Sequence, residues 1–269
     1  MIDGKRLRLK RIIDEKTNTC MILPMDHGTF TGPTKGLEDM GTVVRQAVDG
    51  GIDAVLVVKG NARIVSRMLS RQTGLILQIS CATSLSPTGF SRVSLAQSIE
   101  NAVKLGADGV SYFLTLGHEY EKEQLEILGK VSDACYEWGI PLLVMAEYYS
   151  PEVEKLGPIY LKHACRLAAE FGADIIKTTY PGDKESFKEI VKFTPAPIVI
   201  SGGPRAENDE GFLRMVADAI EAGAIGTSVG RNIFQHKNPK AITKAIAQIV
   251  REKASVKAAL TALKEEINS

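Results

Sequence analysis

The sequence has no long apolar run, almost no net charge and no paired cysteine motif. No stretch of about 18 apolar residues occurs in its 269 residues, so it predicts no membrane-spanning helix. The charged start MIDGKRLRLKRIIDEK lacks the apolar segment of a signal peptide. A net charge of +1 argues against a surface that binds nucleic acid, which is strongly basic. The cysteines show neither CxxC nor Cys/His ligand spacing, so we expect reduced thiols in a cytoplasmic protein: Cys20, Cys81, Cys135 and Cys165.

The chain instead shows a regular alternation of two apolar patterns. Short β-rich apolar runs predict eight strands, at residues 19–25, 53–58, 75–80, 108–114, 141–146, 173–177, 196–201 and 224–230. Helical spacing fills most of the gaps, at 37–51, 94–107, 125–140, 159–173 and 211–224. Each of these helical segments closes with a glycine just before the next run, which is typical of a helix ended by a left-handed residue.

This alternation predicts an α/β fold, a single (β/α)8 TIM barrel that occupies residues 1–269 as one domain. The structural alternative is an open, doubly wound sheet. No GxGxxG follows the first predicted strand, and eight evenly spaced units favour closure. In such barrels the chemistry lies at the carboxyl ends of the strands and in the loops that follow them.

Lys177 ends the apolar run of GADIIKTTYPGD, where a charged amine is costly to bury. A neutral amine at that position attacks a ketone or aldehyde and forms a Schiff base, which then acts as an electron sink. The structural alternative is an ion pair with a carboxylate such as Asp26. Lys59, in LVVKG, has nearly the same position at the end of another predicted strand. It is either an alternative Schiff-base lysine or a second cation in the site.

Two glycine-containing turns predict a phosphate site. ISGGP (200–204) and SVGRN (228–232) follow the last two predicted strands, where backbone N–H groups of these barrels bind phosphate. The nominated residues are Ser201, Gly202, Gly203, Gly230 and Arg231, whose guanidinium adds a charged fork. The alternative is a pair of tight turns with Arg231 on the surface.

Asp26 directly follows the apolar run MILPM, so it lies at the carboxyl end of the first predicted strand. A carboxylate at that end of the barrel orients a hydroxyl group or carries protons. His27 points to the other side if the extended pattern continues, which favours a structural hydrogen bond. We nevertheless keep His27 and Lys59 among the candidate substrate-binding residues. Asp26, His27 and His118 lack the spacing of a metal motif, so we predict no metal and no other cofactor.

The segments LPMDHGTFTGP, GADIIKTTYPGD, APIVISGGP and SVGRNIFQH resemble the archaeal-type class I fructose-bisphosphate aldolases. They resemble even more the 2-amino-3,7-dideoxy-D-threo-hept-6-ulosonate synthases of an alternative route to aromatic precursors. The resemblance runs from about residue 4 to 265. It implies a metal-free barrel, a Schiff-base lysine at Lys177, an aspartate at Asp26, the phosphate site named above and a decameric homo-oligomer.

The function that this resemblance implies is making or breaking a C–C bond in a phosphorylated ketose, with an aldehyde as acceptor. One alternative is cleavage of fructose bisphosphate to glycerone phosphate and glyceraldehyde 3-phosphate. An alternative of another class is a non-catalytic barrel that binds a sugar phosphate. We expect neither nucleic acid nor membrane as a partner.

The chain departs from the family at the fifth predicted strand, where the synthases read roughly MMYPRG with a catalytic tyrosine and this chain reads MAEYYSPE. Counting forward from Pro141 places that position at Glu147, and counting back from Lys177 places it at Ala146. We predict Glu147 as the acid/base group, with Tyr148 as the alternative. In that alternative, Glu147 only pairs with Lys177 or Arg231.

Overall fold

The computed structural model describes residues 3–268. Ten strands occur there: β1 (Cys20–Pro24), β2 (Ala54–Val58), β3 (Gly74–Gln78), β4 (Ser80–Cys81), β5 (Ser94–Leu95), β6 (Gly109–Leu114), β7 (Leu142–Ala146), β8 (Ile175–Thr178), β9 (Ile198–Ser201) and β10 (Gly226–Ser228). Eight of them close a parallel barrel in the order β1-β10-β9-β8-β7-β6-β3-β2. The predicted barrel is therefore confirmed, and β4 and β5 form a small antiparallel excursion between β3 and β6.

Helices occupy every gap between successive barrel strands, and the gap between β3 and β6 contains one short helix after the β4–β5 pair. Their bounds are α1 (Asp3–Leu9), α2 (Gly28–Thr31), α3 (Met40–Asp49), α4 (Lys59–Val65), α5 (Ile99–Lys104), α6 (Glu121–Glu137), α7 (Pro151–Glu154), α8 (Pro158–Glu170), α9 (Lys184–Lys192), α10 (Asp209–Glu221), α11 (Arg231–Phe234), α12 (Pro239–Glu252) and α13 (Val256–Asn268), with a 3-10 turn at Ser66–Met68. Within the described residues, no helix is long and apolar enough to cross a membrane.

The predicted glycine closures are present at all five positions. A positive φ, which side chains with a Cβ rarely adopt, occurs at Gly51, Gly106, Gly139, Gly172 and Gly223. Each glycine ends a helix and turns the chain into the next strand, which explains why each of these strands begins only three residues later.

Three aspartates close the amino-terminal end of the barrel. Each precedes a strand and accepts a backbone N–H from the first or second residue of the neighbouring strand, and each also pairs with a cation. The sets are Asp53 with Met21 N (2.7 Å) and Arg251, Asp108 with Leu75 N (2.9 Å) and Arg11, and Asp174 with Leu142 N (2.8 Å) and Lys5. This end is therefore tied together by structural ion pairs, and the opposite end is open for chemistry.

Candidate active site

A cavity of about 300 Å³ opens at the carboxyl end of the barrel. Ten of the eleven residues nominated from the sequence line it: Asp26, His27, Glu147, Tyr148, Lys177, Ser201, Gly202, Gly203, Gly230 and Arg231. The eleventh, Lys59, begins the exposed start of α4, and its Nζ donates a hydrogen bond to the carbonyl of Ala96 at 2.6 Å. The structure therefore separates Lys59 from the other ten.

Lys177 lies inside the barrel mouth and is only 8% exposed. Its Nζ lies 3.1 Å from Glu147 Oε2 and 3.6 Å from the sulfur of Met145, the residue beside it in the β7–β8 register. A buried charge is tolerated when it is paired, so Glu147 explains how this lysine can lie near the end of an apolar strand. The carboxylate that pairs with Lys177 is thus Glu147, where the sequence had suggested Asp26 as the structural alternative.

The segment that differs from the family pattern, MAEYYSPE, turns away from the barrel wall directly after β7. β7 ends at Ala146, so the strand alternation no longer governs the next three residues, and Glu147, Tyr148 and Tyr149 all line the cavity. The ring of Tyr148 lies 5.9 Å from that of Tyr160. Burial raises the pKa of both Tyr148 and Tyr149, which keeps their phenols protonated at neutral pH.

Asp26 is 5% exposed, and burial raises its pKa to about 6. The positive charge of Lys177 opposes this shift, and the negative charge of Glu147 adds to it. A carboxyl group with this pKa exchanges protons near neutral pH, which is a useful property in a general acid or base.

His27 lines the same cavity because its backbone is already helical, with φ −52° and ψ −31°, at the start of α2. The extended pattern assumed from the sequence therefore does not apply to it. Burial, followed by the charges of Lys177 and Arg231, lowers its pKa to about 3, so the imidazole is neutral at neutral pH. Its Nδ1 lies 3.9 Å from Asp26 Oδ1.

The two predicted phosphate loops meet at the mouth, and close packing requires glycine in each. A Cβ on Gly230 would lie 2.7 Å from His27 Cε1 and 2.8 Å from the carbonyl oxygen of Pro24. A Cβ on Gly202 would lie 2.9 Å from Val229 Cγ1. These positions therefore bring bare backbone to the cavity surface, as an anion site needs.

Asn232 joins these two loops, although the sequence analysis did not single it out. Its buried side chain donates to the carbonyls of Gly202 (2.8 Å) and Pro204 (3.0 Å) and accepts from the N–H of Ala206 (2.8 Å). The signal was present in SVGRN, where this asparagine follows the nominated arginine. It fixes the shape of the predicted phosphate site without lining the cavity itself.

Three buried polar atoms on this side of the cavity have no hydrogen-bond partner within residues 3–268: Ser228 Oγ, His27 Nδ1 and Arg231 Nε. Ser228 lies opposite Ser201 in the β9–β10 register, and both line the cavity. Because buried polar groups are normally paired, these atoms indicate a polar ligand at this wall. A phosphate has the oxygen acceptors that the guanidinium and the hydroxyl require.

Part of the cavity wall was missed entirely from the sequence. It is aromatic and comes from three separate segments: Phe30 in α2, Phe90 between β4 and β5, and Phe113 on β6. Within the described part of the chain, no cluster of three or more His, Cys, Asp or Glu residues is arranged to hold a metal ion. Activity without a metal stays a prediction.

The chain matches known aldolases over almost its whole length. The family model for DeoC/LacD family aldolases matches residues 20–236. The 2-amino-3,7-dideoxy-D-threo-hept-6-ulosonate synthase of Halobacterium salinarum is 38% identical over 96% of this chain and 95% of its own length. The 2-amino-4,5-dihydroxy-6-oxo-7-(phosphonooxy)heptanoate synthase of Streptomyces griseus is 32% identical over 92% of this chain and 90% of its own length.

Solved structures agree with these relatives. An archaeal fructose 1,6-bisphosphate aldolase is 30% identical, with a TM-score of 0.82 over 93% of this chain and 100% of that chain. A second archaeal aldolase structure, with its catalytic lysine covalently bound to the carbinolamine intermediate, has 29% identity and a TM-score of 0.81 over the same 93% and 100%. The resemblance to class I aldolases stated from the sequence is confirmed, and the chain belongs to the DeoC/LacD family of aldolases.

Proposed function

We propose that this chain is a class I aldolase or transaldolase that makes or breaks a C–C bond in a phosphorylated ketose through a Schiff base on Lys177. The observation that carries the proposal is the buried Lys177–Glu147 pair, 3.1 Å apart, in a cavity that also contains the two glycine loops and Arg231. The pair supplies a nucleophile with an adjacent proton acceptor, which is the arrangement that activates an amine.

The substrate phosphate binds at the two loops, with Arg231 and the hydroxyl of Ser201 as ligands. The Lys177 ammonium gives a proton to Glu147, and the neutral amine then attacks the C2 carbonyl carbon. The new C–N bond forms as the carbonyl electron pair moves to oxygen. Glu147 gives this proton to the alkoxide oxygen, then takes a second proton from the nitrogen and passes it to the same oxygen, so water leaves and a cationic iminium remains.

Cleavage follows from the iminium. A base removes the proton of the C4 hydroxyl, the C3–C4 bond breaks, and its electron pair moves through C3 to the iminium nitrogen, giving a neutral enamine and a free aldehyde. We assign this base to Glu147, which forward counting from Pro141 aligns with the family tyrosine, with Tyr148 as the alternative. The enamine then takes a proton at C3 or attacks a second aldehyde, and hydrolysis releases Lys177.

Asp26 orients the substrate hydroxyls and carries protons between them and Lys177. Its pKa of about 6 suits this role, because both protonation states are accessible near neutral pH. Neutral His27 contributes a hydrogen bond at the phosphate side of the cavity, where its Nδ1 is buried and without a partner among residues 3–268.

Two reactions of the same class are compatible with the relatives. One resembles heptulosonate synthesis, in which the enamine is transferred to an acceptor aldehyde, as the names of the Halobacterium and Streptomyces enzymes suggest. The other is cleavage of fructose 1,6-bisphosphate, the activity named for the archaeal structures. A non-catalytic sugar-phosphate-binding barrel is the alternative of another class, and the buried lysine with its adjacent carboxylate argues against it. We also propose a homo-oligomer, a decamer by resemblance, and a cytoplasmic location.

The test of this function is the variant Lys177→Met with Lys59→Met as its matched control. Lys177→Met should lose turnover of phosphorylated ketoses and still bind glycerol 3-phosphate, an unreactive phosphate probe, by calorimetry. Lys59→Met should keep turnover, because that side chain lies outside the cavity. Retained turnover in Lys177→Met would contradict the proposed function.

A further inference from the structure

The last two residues of β8 contact the end of β7 from opposite faces of the barrel wall. Lys177 lines the cavity, where its Nζ lies 3.1 Å from Glu147 Oε2. Thr178 points to the outer face, because neighbouring side chains of a strand alternate. Its Oγ1 donates a 2.7 Å hydrogen bond to the carbonyl of Ala146, the residue just before Glu147. Two successive residues of β8 therefore hold two successive residues of the neighbouring segment.

The hydrogen bond from Thr178 lies where the backbone pairing of the two strands ends. Ala146 and Thr178 are the last registered pair between β7 and β8, and both residues are fully buried. Because both strands end at this pair, the hydroxyl supplies an attachment at the point where Glu147 leaves the barrel wall. A hydrogen bond depends steeply on distance and direction, so this attachment defines the position of the Ala146 carbonyl.

The outer side of the Thr178 hydroxyl is covered by α8. Cys165 of that helix is fully buried. Burial raises the pKa of its thiol to about 12, although a hydrogen bond with the Thr178 side chain opposes the shift. The thiol is therefore protonated at neutral pH, and it carries no negative charge that would compete for the hydroxyl hydrogen. That hydrogen stays directed at the carbonyl of Ala146.

The segment after Glu147 is held by ring packing instead. The ring centroid of Tyr160, in α8, lies 5.9 Å from that of Tyr148 and 6.4 Å from that of Tyr149. Aromatic pairs are favourable over ring separations of about 4.5–7 Å, so these contacts tolerate small displacements. The position of Glu147 is therefore fixed more tightly from the side of β7 than from the side of the tyrosines.

We propose that Thr178 is a positioning residue for the Schiff-base chemistry: its hydroxyl fixes the end of β7 and thereby keeps the Glu147 carboxylate within proton-transfer distance of Lys177. This inference rests on the proposed function, in which Glu147 exchanges protons with Lys177 and with the substrate. A general acid or base acts over about 2.6–3.2 Å, and the 3.1 Å separation of this pair lies near the upper end of that range. A small outward shift of Glu147 therefore lowers the rate without removing any group that binds phosphate.

The test compares Thr178→Val, which has nearly the same size and no hydroxyl, with Thr178→Ser, which keeps the hydroxyl. Thr178→Val should lower kcat about 10- to 100-fold, since a misplacement of about 1 Å can cost about 10²-fold. Its Kd for glycerol 3-phosphate, measured by calorimetry, should stay within about twofold, because the lost interaction affects the reaction and not the binding of phosphate. Thr178→Ser should keep kcat within about threefold, because it retains the donor. A kcat of Thr178→Val close to that of the unaltered protein, or an equal loss in Thr178→Ser, would overturn the inference.

Thr243→Val is the matched control for the loss of a buried threonine hydrogen bond. Thr243, in α12, is also fully buried, and its Oγ1 donates to the carbonyl of Pro239 at 2.7 Å. It does not line the cavity, so this variant should change stability and leave kcat within about twofold. A kcat loss in Thr243→Val as large as that in Thr178→Val would show a general effect of losing such a bond and would overturn the inference.

A double-mutant cycle with Glu147→Gln shows whether Thr178 acts through Glu147. If it does, adding Thr178→Val to Glu147→Gln should lower the residual kcat by less than about twofold, because the two losses are coupled. Losses that multiply as independent effects would overturn the inference. If Thr178→Val does not fold, Thr178→Ala removes the same hydroxyl and takes its place in each comparison. Absence of both turnover and a borohydride-trapped adduct in the unaltered protein would instead contradict the proposed function.

Discussion

Asp26→Asn should make the folded protein more stable at neutral pH while abolishing most of its activity. The carboxyl group is buried, and its pKa is raised from an ordinary value of 3.8 to about 6. Because the folded pKa lies above the unfolded one, the ionised group favours unfolding. This carboxyl group therefore contributes most to stability below about pH 4, and that contribution is lost as the pH rises through about 6.

The size of the effect follows from the same linkage. The difference between the two pKa values corresponds to about 3 kcal/mol in the free energy of unfolding at pH 7.5. At pH 4.5 the cost is only about 1 kcal/mol, because the carboxyl group is then largely protonated in the folded state. An amide of the same shape avoids the cost at both pH values. The advantage of Asp26→Asn should thus grow by about 2 kcal/mol between pH 4.5 and pH 7.5.

Urea unfolding of the unaltered protein and of Asp26→Asn at both pH values measures this difference. Asp133→Asn, at an exposed position of α6, is the matched control and should change the free energy of unfolding by less than about 0.5 kcal/mol. A destabilised Asp26→Asn at pH 7.5, or a stability difference that does not vary with pH, would refute the reasoning. Asp26 would then be a structural ion-pair or hydrogen-bond partner.

Three further predictions concern the site. Arg231→Ala should weaken binding of phosphorylated substrates about 10- to 150-fold, since charge-assisted hydrogen bonds are worth roughly 1.5–3 kcal/mol, and an equal loss with unphosphorylated dihydroxyacetone would show a structural role. Glu147→Gln should lower kcat by about 10²–10⁴-fold. If Glu147→Gln keeps near-full activity while Tyr148→Phe or Tyr149→Phe loses most of its activity, the acid/base role belongs to that tyrosine. EDTA should leave turnover unchanged, because the iminium supplies the electrophile; a loss restored by zinc would contradict a Schiff-base mechanism.

Most of the fold was predictable because its signals are local. Most barrel strands are short apolar runs, and five helix ends are fixed by a glycine with positive φ, so neither signal depends on distant contacts. The helices α4 and α9 were not predicted from the sequence, because α4 spans only seven residues and α9 has only three apolar side chains, those of Phe187, Ile190 and Val191.

The polar residues of the site were predictable from one rule, that the functional residues of these barrels lie at the carboxyl ends of the strands. The rule failed for Lys59, because α4 begins at that residue and turns its amine to the carbonyl of Ala96. The aromatic wall was not predictable, because Phe30, Phe90 and Phe113 are far apart in sequence and meet only after the barrel closes. The role of Asn232 likewise depends on two loops that come together in space.

The most direct test of the central claim is the identity of the covalently modified residue. The protein is incubated with fructose 1-phosphate or glycerone phosphate, reduced with borohydride, digested and analysed by mass spectrometry. The account predicts a stable adduct on the peptide that contains Lys177, absent without the sugar phosphate and absent in Lys177→Met. An adduct on Lys59, or none in a sample that turns over substrate, would contradict it.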